Sequence, residues 1–569
     1  MTTVFNDPSQ FADEMIAGFT SLHPELVEPV YGGVVRSTET PENKVAVVIG
    51  GGSGHYPAFA GWVGPGMADG AVVGNVFASP STQQVYSVAR AAQRGGGVFL
   101  SYGNYAGDVL NFDLAQERLR SEGIPTQTVT VTDDLTSASS DEAHKRRGTA
   151  GDLVVFKIAG AAAEAGYDLD AVTDVARRAN ARTFSFAVAF AGCTLPGAPE
   201  PLFTVPTGRM GVGMGVHGEP GISEEDVVTS RELAELLVNT VLEERPDGVD
   251  GRVLATVNGL GGTKYEELFV LWNDIRPLLE AAGTQLVAPQ VGEFITSLDM
   301  AGLSLTLTWL DDELEQLWLA PAETPAFRIG GGLHAAQKTE HAASQTGARI
   351  FAVASAESQD AARTLLSYAE RVAGALRESE DDLGKLDSVA GDGDHGRGMT
   401  KGSLAAVAAL REAVTQGAGV ASALADAGDA WGDKAGGTSG ALWGAALRAA
   451  AGTLDDEVAP TADAVADAVQ AGLDELLAFG KAHVGDKTML DALVPFVESL
   501  RTRLDAGDGA ADAWHVAAGV ATQKAADTAS LTPQIGRARP LAERSLGYAD
   551  PGATSLALVV ATVAAEAGE

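Results

Sequence analysis

Leu386–Met399, LDSVAGDGDHGRGM, is the stretch from which the chain is read. It carries three carboxylates, Asp387, Asp392 and Asp394, and one imidazole, His395. Asp392 and Asp394 alternate with glycines, which predicts an irregular loop. Glycine makes tight turns accessible and lets the backbone approach a ligand closely. Three acids this close repel one another unless paired. A hard divalent cation removes that repulsion, and Mg²⁺ takes oxygen ligands, keeps several waters and sits beside phosphates. From these residues alone two other readings stay open. One is a solvated acidic turn. The other is a Ca²⁺ loop, for which the twelve-residue spacing and the closing Glu are missing.

Working outward from this loop, the chain changes character on its two sides. Before it, residues 1 to about 330 alternate β-rich runs with helical stretches. Strands are expected at Val45–Ile49, Ala71–Phe77, Val98–Tyr102, Thr128–Thr132, Thr183–Phe190, Val253–Val257, Gln285–Ala288 and Leu303–Leu310. Several are continuous apolar runs, the mark of strands buried on both faces. Helices are expected at Asp152–Gly166, Leu169–Ala179 and Lys264–Ala282. This is α/β patterning, with room for two subdomains. The Pro- and Gly-rich segment Glu200–Gly221 is the expected break between them. Residues 331–352 read as a linker, with a glycine triplet and little apolar periodicity. From Val353 to the end the chain is Ala- and Leu-rich, with expected helices at 356–378, 399–414, 420–431, 438–452, 461–480, 488–505, 510–529 and 553–567. Alanine is the strongest helix former, and the Gly and Asp breaks leave helices of bundle length. The division is therefore an α/β part, 1–330, a linker, and an all-α part, 353–569.

At 569 residues the chain is too long for one core. Its formal charge of −37 repels nucleic-acid phosphate and anionic membranes, so neither is an expected partner. A protein this acidic that handles a phosphate must neutralise it locally, with metal and backbone N–H groups. A single cysteine, Cys193, permits no intrachain disulfide and is expected as a small buried apolar residue. No signal peptide is visible in MTTVFNDPSQF, and no apolar run reaches membrane-spanning length. The expected setting is the cytoplasm.

Three motifs stand out in the α/β half. VAVVIGGGSGHYPAF, 45–59, is a strand running into Gly50-Gly51-Gly52-Ser53-Gly54-His55. Such loops cradle ligands at the carboxyl end of a sheet. No Gly-Lys-Ser/Thr follows, so this is not a P-loop, and His55, Tyr56 and Pro57 stand where a dinucleotide-binding helix would begin. A purely structural turn is the alternative. Ser101–Asp108, SYGNYAGD, again follows a strand, and Asp108 reads either as a helix N-cap or as a general base. In GVGMGVHGEPG, 211–221, His217 stands among glycines and is expected to be exposed for chemistry. Neutral imidazole is a competent nucleophile and base. In the helical half Gly436-Gly437-Thr438-Ser439-Gly440, Gly480, Gly485-Asp486-Lys487-Thr488-Met489 and GRARPLAERSLGYADPGATS, 536–555, join the acidic loop as polar breaks. Gly-Thr-Ser-Gly before a helix offers N–H and O–H donors to an anion. Asp550-Pro551-Gly552 also fits a plain turn and cap. Together these loops suggest one rim that binds something anionic.

In this order and spacing GGGSGH, GNYAGD, GVHGEPG, GDGDHG, GGTSG, GDKTMLDAL and ERSLGYADPGATS resemble the dihydroxyacetone kinase family, in the form that fuses a ketose-binding domain to a nucleotide-binding domain. The resemblance covers nearly the whole chain. It implies an α/β part of two subdomains followed by an α-helical barrel that holds ATP. It implies that His217 binds the substrate carbonyl as a hemiaminal, while His55 and Asp108 bond the substrate hydroxyls and assist proton removal. Gly52, Ser53 and Gly54 would contact the ketose. Asp387, Asp392 and Asp394 would hold two Mg²⁺. His395, Gly396, Arg397, Gly398, Thr438, Ser439, Gly480, Thr488, Met489, Asp550, Pro551 and Gly552 would line the nucleotide site. A homodimer is implied as well.

The chain departs from the family pattern at Tyr56, where Glu is usual, Phe59 (His), Pro65 (Lys), Gly103 (Lys) and Thr207-Gly208-Arg209 (acidic residues). These changes are expected beside the ketose and imply a reshaped pocket, so a four-carbon ketose such as D- or L-erythrulose stands beside dihydroxyacetone. Two rival readings come with the resemblance. Some relatives are lyases that make cyclic nucleotides from flavin dinucleotide, which needs only the helical part. Others bind ketose as sensors, a role for which the acidic triad has no use.

Overall fold

The structure is a computed structural model and describes residues 2–219, 221–330, 351–435, 437–480, 482–535 and 542–567, apart from the side chains of 437, 438 and 567. The expected linker at 331–352 thus lies, but for Phe351 and Ala352, outside the described residues. The chain divides into two compact units, Met1–Thr339 and Glu340–Glu569. No helix among the described residues is long and apolar enough to cross a membrane.

The first unit contains two sheets. One has the strand order Val27–Val30, Gly33–Arg36, Gly70–Val76, Ala46–Ser53, Val98–Gly103, Thr126–Val131. Its last four strands run parallel, with Val48 opposite Gly70, Ala46 opposite Val98 and Val98 opposite Thr126. Parallel strands place their carboxyl ends at one edge, so the loops after Ser53, Val76 and Gly103 gather there. The other sheet runs Gln285–Leu286, Arg252–Gly259, Gly302–Trp309, Thr183–Ala189, Arg209–Val212, Ser223–Asp226, with Gln290–Gly292 also on Arg252–Gly259. All eight expected strands are present, within a few residues of their expected ends.

The expected break at Glu200–Gly221 is corrected by this topology. Arg209–Val212 hydrogen-bonds to Thr183–Ala189, with Val188 opposite Val212, so the segment is interior to the second sheet. Its Pro and Gly content shapes a long loop rather than a hinge. The chain passes between the sheets through the helices Gly151–Glu164 and Leu169–Asn180. Thirteen of the fourteen residues of Gly151–Glu164 are buried, and the helix packs against strands of both sheets. An ideal Cβ on Gly160 would lie 2.1 Å from the Met67 carbonyl oxygen, so only glycine allows that approach. The strand Gly302–Trp309, GLSLTLTW, alternates apolar and hydroxyl residues yet is buried throughout. Its polar face is satisfied across the sheet, Thr306 Oγ1 lying 2.6 Å from Ser185 Oγ and Thr308 Oγ1 2.9 Å from Thr183 Oγ1.

The second unit is all-α. The expected helices appear as Ala356–Glu378, His395–Thr415, Val420–Ala435, Gly437–Ala451, Ala462–Gly480, Leu490–Asp505, Ala510–Asp527 and Pro551–Ala567. Two helices, Glu380–Asp387 and the four-residue Ala542–Ser545, are additional, and the helix expected from 399 starts four residues earlier at His395. The acidic loop is therefore a short joint between two helices. Alanine-rich faces pack around stacked Trp431 and Trp443 rings, 5.2 Å apart, and leave an apolar cavity of about 820 Å³ inside the bundle.

Candidate active site

The carboxyl edge of the first sheet brings His55 next to His217. His55 leaves the strand Ala46–Ser53 through Gly54, whose φ of +99° suits glycine alone. His55 Nδ1 lies 2.7 Å from the Thr296 carbonyl oxygen, and its Nε2 lies 3.0 Å from His217 Nε2. A carbonyl only accepts, so His55 keeps its proton on Nδ1 and presents a lone pair at Nε2. Burial, then the charge of His217, pushes His55 down to about 3, against the pull of Thr296. His217 Nδ1 faces Glu219 Oε1 at 3.1 Å. His217 thus turns Nδ1 to the carboxylate and shares a proton with His55 through Nε2. Its ring is held edge-on by His55, Phe77 and Tyr105, with centroids 4.8, 5.1 and 4.9 Å away.

Asp108 is not an N-cap. Tyr105 holds that position, and Asp108 sits in the first turn of the helix Ala106–Ser121. Burial pushes its carboxyl up to about 6, against a hydrogen bond with Ser79 and the charge of His217. Asp108 Oδ1 and Ser53 Oγ are buried and find no hydrogen-bond partner among the described residues. Two orphaned polar atoms of this kind suit a hydroxylated ligand, because each carries a desolvation cost until paired. An ideal Cβ on Gly52 would lie 2.8 Å from the Ala78 nitrogen, so the glycine loop is pressed onto the backbone just before Ser79.

The expected pocket-shaping positions separate into two groups. Gly103 backs the site: a Cβ there would meet the Tyr105 ring at 3.2 Å. The Tyr56 carbonyl accepts from Thr296 Oγ1 at 2.9 Å, beside the anchor of His55. Phe59 lies under Gly51 and against Trp62 and Phe156, in the core. Pro65 and Arg209 lie beside other partners. The neighbouring Gly66 backbone bonds Glu164, at the end of a helix whose other end holds Asp152, about 18 Å away at 1.5 Å per residue. Arg209 pairs with Glu224 on the neighbouring strand, Nε to Oε1 3.2 Å. Conversely, Glu219, Arg147, Thr296, Phe77, Tyr105 and Ser79 carried no sequence assignment. Only Glu219, two residues after His217 in the same loop, and Tyr105, three before Asp108 in the same motif, had a local signal.

In the helical unit Asp387, Asp392 and Asp394 each offer a carboxylate oxygen within 4.8 Å of the others. Asp387 ends one helix and Asp394 precedes the next. Between them Gly393 takes φ +77°, and a Cβ on Gly391 would lie 2.3 Å from Asp387 Oδ1. Three hard oxygen donors, two of them exposed, fit Mg²⁺ that shares its shell with water and phosphate. His395 turns inward: its Nε2 lies 2.9 Å from Ser555 Oγ, and burial pushes its imidazole down, against Asp387 and Asp394. It ties the acidic joint to the last helix. Gly396 packs on Glu380, where a Cβ would lie 2.0 Å from the carbonyl oxygen, while Arg397 is exposed and Gly398 partly so.

Thr488 and Met489 meet the Asp550–Gly552 turn: a Cβ on Gly552 would lie 3.5 Å from Met489 Cβ. Asp491 shapes that loop by accepting the Thr488 N–H at 2.7 Å. Asp550 Oδ1 accepts the Ala553 N–H at 2.7 Å, and burial pushes its carboxyl up to about 7. Gly480 lies 3.9 Å, measured from an ideal Cβ, from Leu442 on the helix whose first turn exposes Ser439. The side chain of Thr438 lies outside the described residues. Lys487 is turned inward, its Nζ donating to the Ser545 carbonyl at 2.7 Å.

The Dak1 domain family matches residues 17–326 and the DAK2 domain family residues 389–565. The chain is 54% identical over 570 residues to a D-erythrulose kinase of Mycolicibacterium smegmatis, covering 99% of this chain and 98% of that one. It is 53% identical over 572 residues to an L-erythrulose kinase of Pectobacterium atrosepticum, covering 99% and 96%. The dihydroxyacetone kinase of C. freundii in complex with AMP-PNP and Mg²⁺ superposes with a TM-score of 0.58 at 31% identity, covering 99% of each chain. The chain belongs to the dihydroxyacetone kinase family, in the fused form that carries both domains in one polypeptide.

Proposed function

We propose that this kinase transfers the γ-phosphoryl group of ATP to a terminal hydroxyl of a short-chain ketose, with D- or L-erythrulose and dihydroxyacetone as the substrate class. The observation that carries the reading is His217 Nε2 held 3.0 Å from His55 Nε2, with the orphaned carboxylate oxygen of Asp108 on the same sheet edge. The full-length likeness to two erythrulose kinases supports the four-carbon substrates. Those relatives act on opposite stereoisomers at nearly equal identity, so identity does not select the isomer.

His217 passes its Nε2 proton to His55. The freed lone pair forms a bond to the ketone carbon, the carbonyl π pair moves to oxygen, and that oxygen takes the transferred proton from His55. The resulting hemiaminal fixes the ketose. Glycerol has no electrophilic carbon and is not captured, a large discrimination for similar hydroxyls. Asp108 then accepts the proton of the terminal hydroxyl as it forms the new O–P bond and ADP leaves. Ser53 Oγ, with Gly52 and Gly54, holds a substrate hydroxyl. Asp387, Asp392 and Asp394 would hold Mg²⁺, two ions by family resemblance, which would supply charge neutralisation for the phosphates of ATP. His395 to Gly398, Thr438, Ser439, Gly480, Thr488, Met489 and Asp550 to Gly552 line the nucleotide. Residues 1–330 serve as the ketose domain and 353–569 as the ATP domain. A cytoplasmic homodimer completes the proposal.

A coupled ADP-release assay across dihydroxyacetone, D- and L-erythrulose, glyceraldehyde and glycerol tests it. Turnover with a ketose and none with glycerol is expected. Equal turnover of glycerol, or ATP cleavage independent of ketose, overturns it.

A further inference from the structure

Glu219 commits both carboxylate oxygens to a single residue. Oε1 lies 3.1 Å from His217 Nδ1, and Oε2 accepts the His217 backbone N–H at 3.0 Å. Glycines permit this fold-back. An ideal Cβ on Gly215 would lie 2.2 Å from Glu219 Oε2, and Gly218 takes φ +81° between the two partners. Behind the carboxylate stands Arg147, its NH1 3.7 Å from Oε1. Arg147 is itself fixed to Asp134, with Nε at 3.0 Å and NH2 at 2.8 Å from Oδ2. Its backbone is tied on both sides, the N–H donating to Ser137 Oγ at 2.9 Å and the carbonyl accepting from Asp134 at 3.0 Å. A chain of contacts thus runs Asp134, Arg147, Glu219, His217, His55, Thr296. The other polar or aromatic groups around His217 are Asp108, Tyr105 and Phe77.

We propose that Glu219, backed by Arg147, is the positioning residue that makes His217 a carbonyl-capturing nucleophile for a short-chain ketose. The inference rests on the covalent reading above. An imidazole has two competing nitrogens, and a carboxylate on Nδ1 fixes both the ring plane and which nitrogen faces the substrate. In the capture step Nε2 bonds to the carbonyl carbon and the ring becomes a cationic, N-substituted imidazole. One proton leaves the histidine pair, for the substrate oxygen. A fixed anion 3.1 Å away stabilises the positive charge that settles on the ring as the adduct forms. Burial works to raise the Glu219 carboxyl, but the bond and charge of His217, together with Arg147, outweigh it and hold the group at about 2. The anion is therefore present across the working pH range.

The test uses the full-length protein, a ketose labelled at its carbonyl carbon with carbon NMR, and steady-state kinetics. With the native chain the bound ketose shows a tetrahedral-carbon signal in place of the ketone. Glu219→Gln keeps the size and one acceptor oxygen but removes the charge. The tetrahedral signal is expected to fall and the ketose KM to rise by about tenfold or more, the scale of a lost charged hydrogen bond, with the KM for ATP unchanged. Arg147→Lys keeps a cation beside Asp134 but shortens the reach to Glu219. It is expected to move the same KM in the same direction by less, and it serves as the readout if Glu219→Gln does not fold. An unchanged signal and ketose KM in Glu219→Gln, or in Arg147→Lys where that substitutes for it, overturn the proposal and leave the covalent reading standing. A native chain that turns over ketose while only the ketone signal is bound overturns the covalent reading, and this proposal with it.

Discussion

His55 and His217 meet Nε2 to Nε2 at 3.0 Å, their rings 84° apart, across 162 positions of sequence. One comes from the first sheet and the other from a loop of the second. The pair exists because the buried helix Gly151–Glu164 holds both sheets against it. That relationship makes the site sensitive to each partner separately.

Replacing His217 by Ala removes the nucleophile. The variant is expected to lose tight ketose capture and to discriminate less against carbonyl-free polyols. Isothermal titration with ketose and with glycerol checks it, and undiminished selectivity refutes the covalent role.

Asp108 is raised to about 6, so its carboxylate is the majority form only above that pH. A base must be ionised to accept a proton. Turnover is therefore expected to fall about tenfold per pH unit below about 6. Asp108→Asn should bind ketose, turn over poorly and lose this acid limb. A pH–rate profile of both proteins decides it, and an acid limb that survives in Asp108→Asn places the titrating group elsewhere.

Asp392→Asn removes one charge from the carboxylate cluster. Turnover is expected to drop by about 10²-fold or more, as for other lost electrostatic stabilisation of a transferring group. Ketose binding should be unchanged. Near-normal kcat at ordinary Mg²⁺ would show that the cluster holds no catalytic metal.

Gly160→Ala places a methyl group against the Met67 carbonyl, at 2.1 Å before relaxation. Overpacking of this kind costs about 1–3 kcal/mol. A lower unfolding midpoint in urea is expected, with the DAK2 unit unaffected. An unchanged midpoint would mean that the helix shifts freely between the sheets.

Much of this is legible in the sequence. Strands such as Val98–Gly103 are continuous apolar runs, and the helices of the second half follow from alanine content and from Gly and Asp breaks. Strand Ser223–Asp226, SEED, was not legible, since four exposed polar residues carry no apolar pattern and pair only because Arg209–Val212 lies beside them. The helix Glu380–Asp387 was missed for a similar reason, with one buried side chain, Leu383, in eight residues.

By itself the sequence determined the α/β and all-α division, the glycine loops after strands, and the acidic cluster, because each is encoded within a few consecutive residues. Local spacing sets the 3.6- and 2-residue periods and places Asp392 two positions from Asp394. Only the tertiary structure decided which residues share a site. It set Thr296 against His55. It turned His395 and Lys487 inward and stationed Arg147 behind Glu219. Those contacts depend on strand order, strand direction and the packing of one buried helix, quantities to which residues 50 to 240 positions apart contribute jointly and which no window of the chain contains.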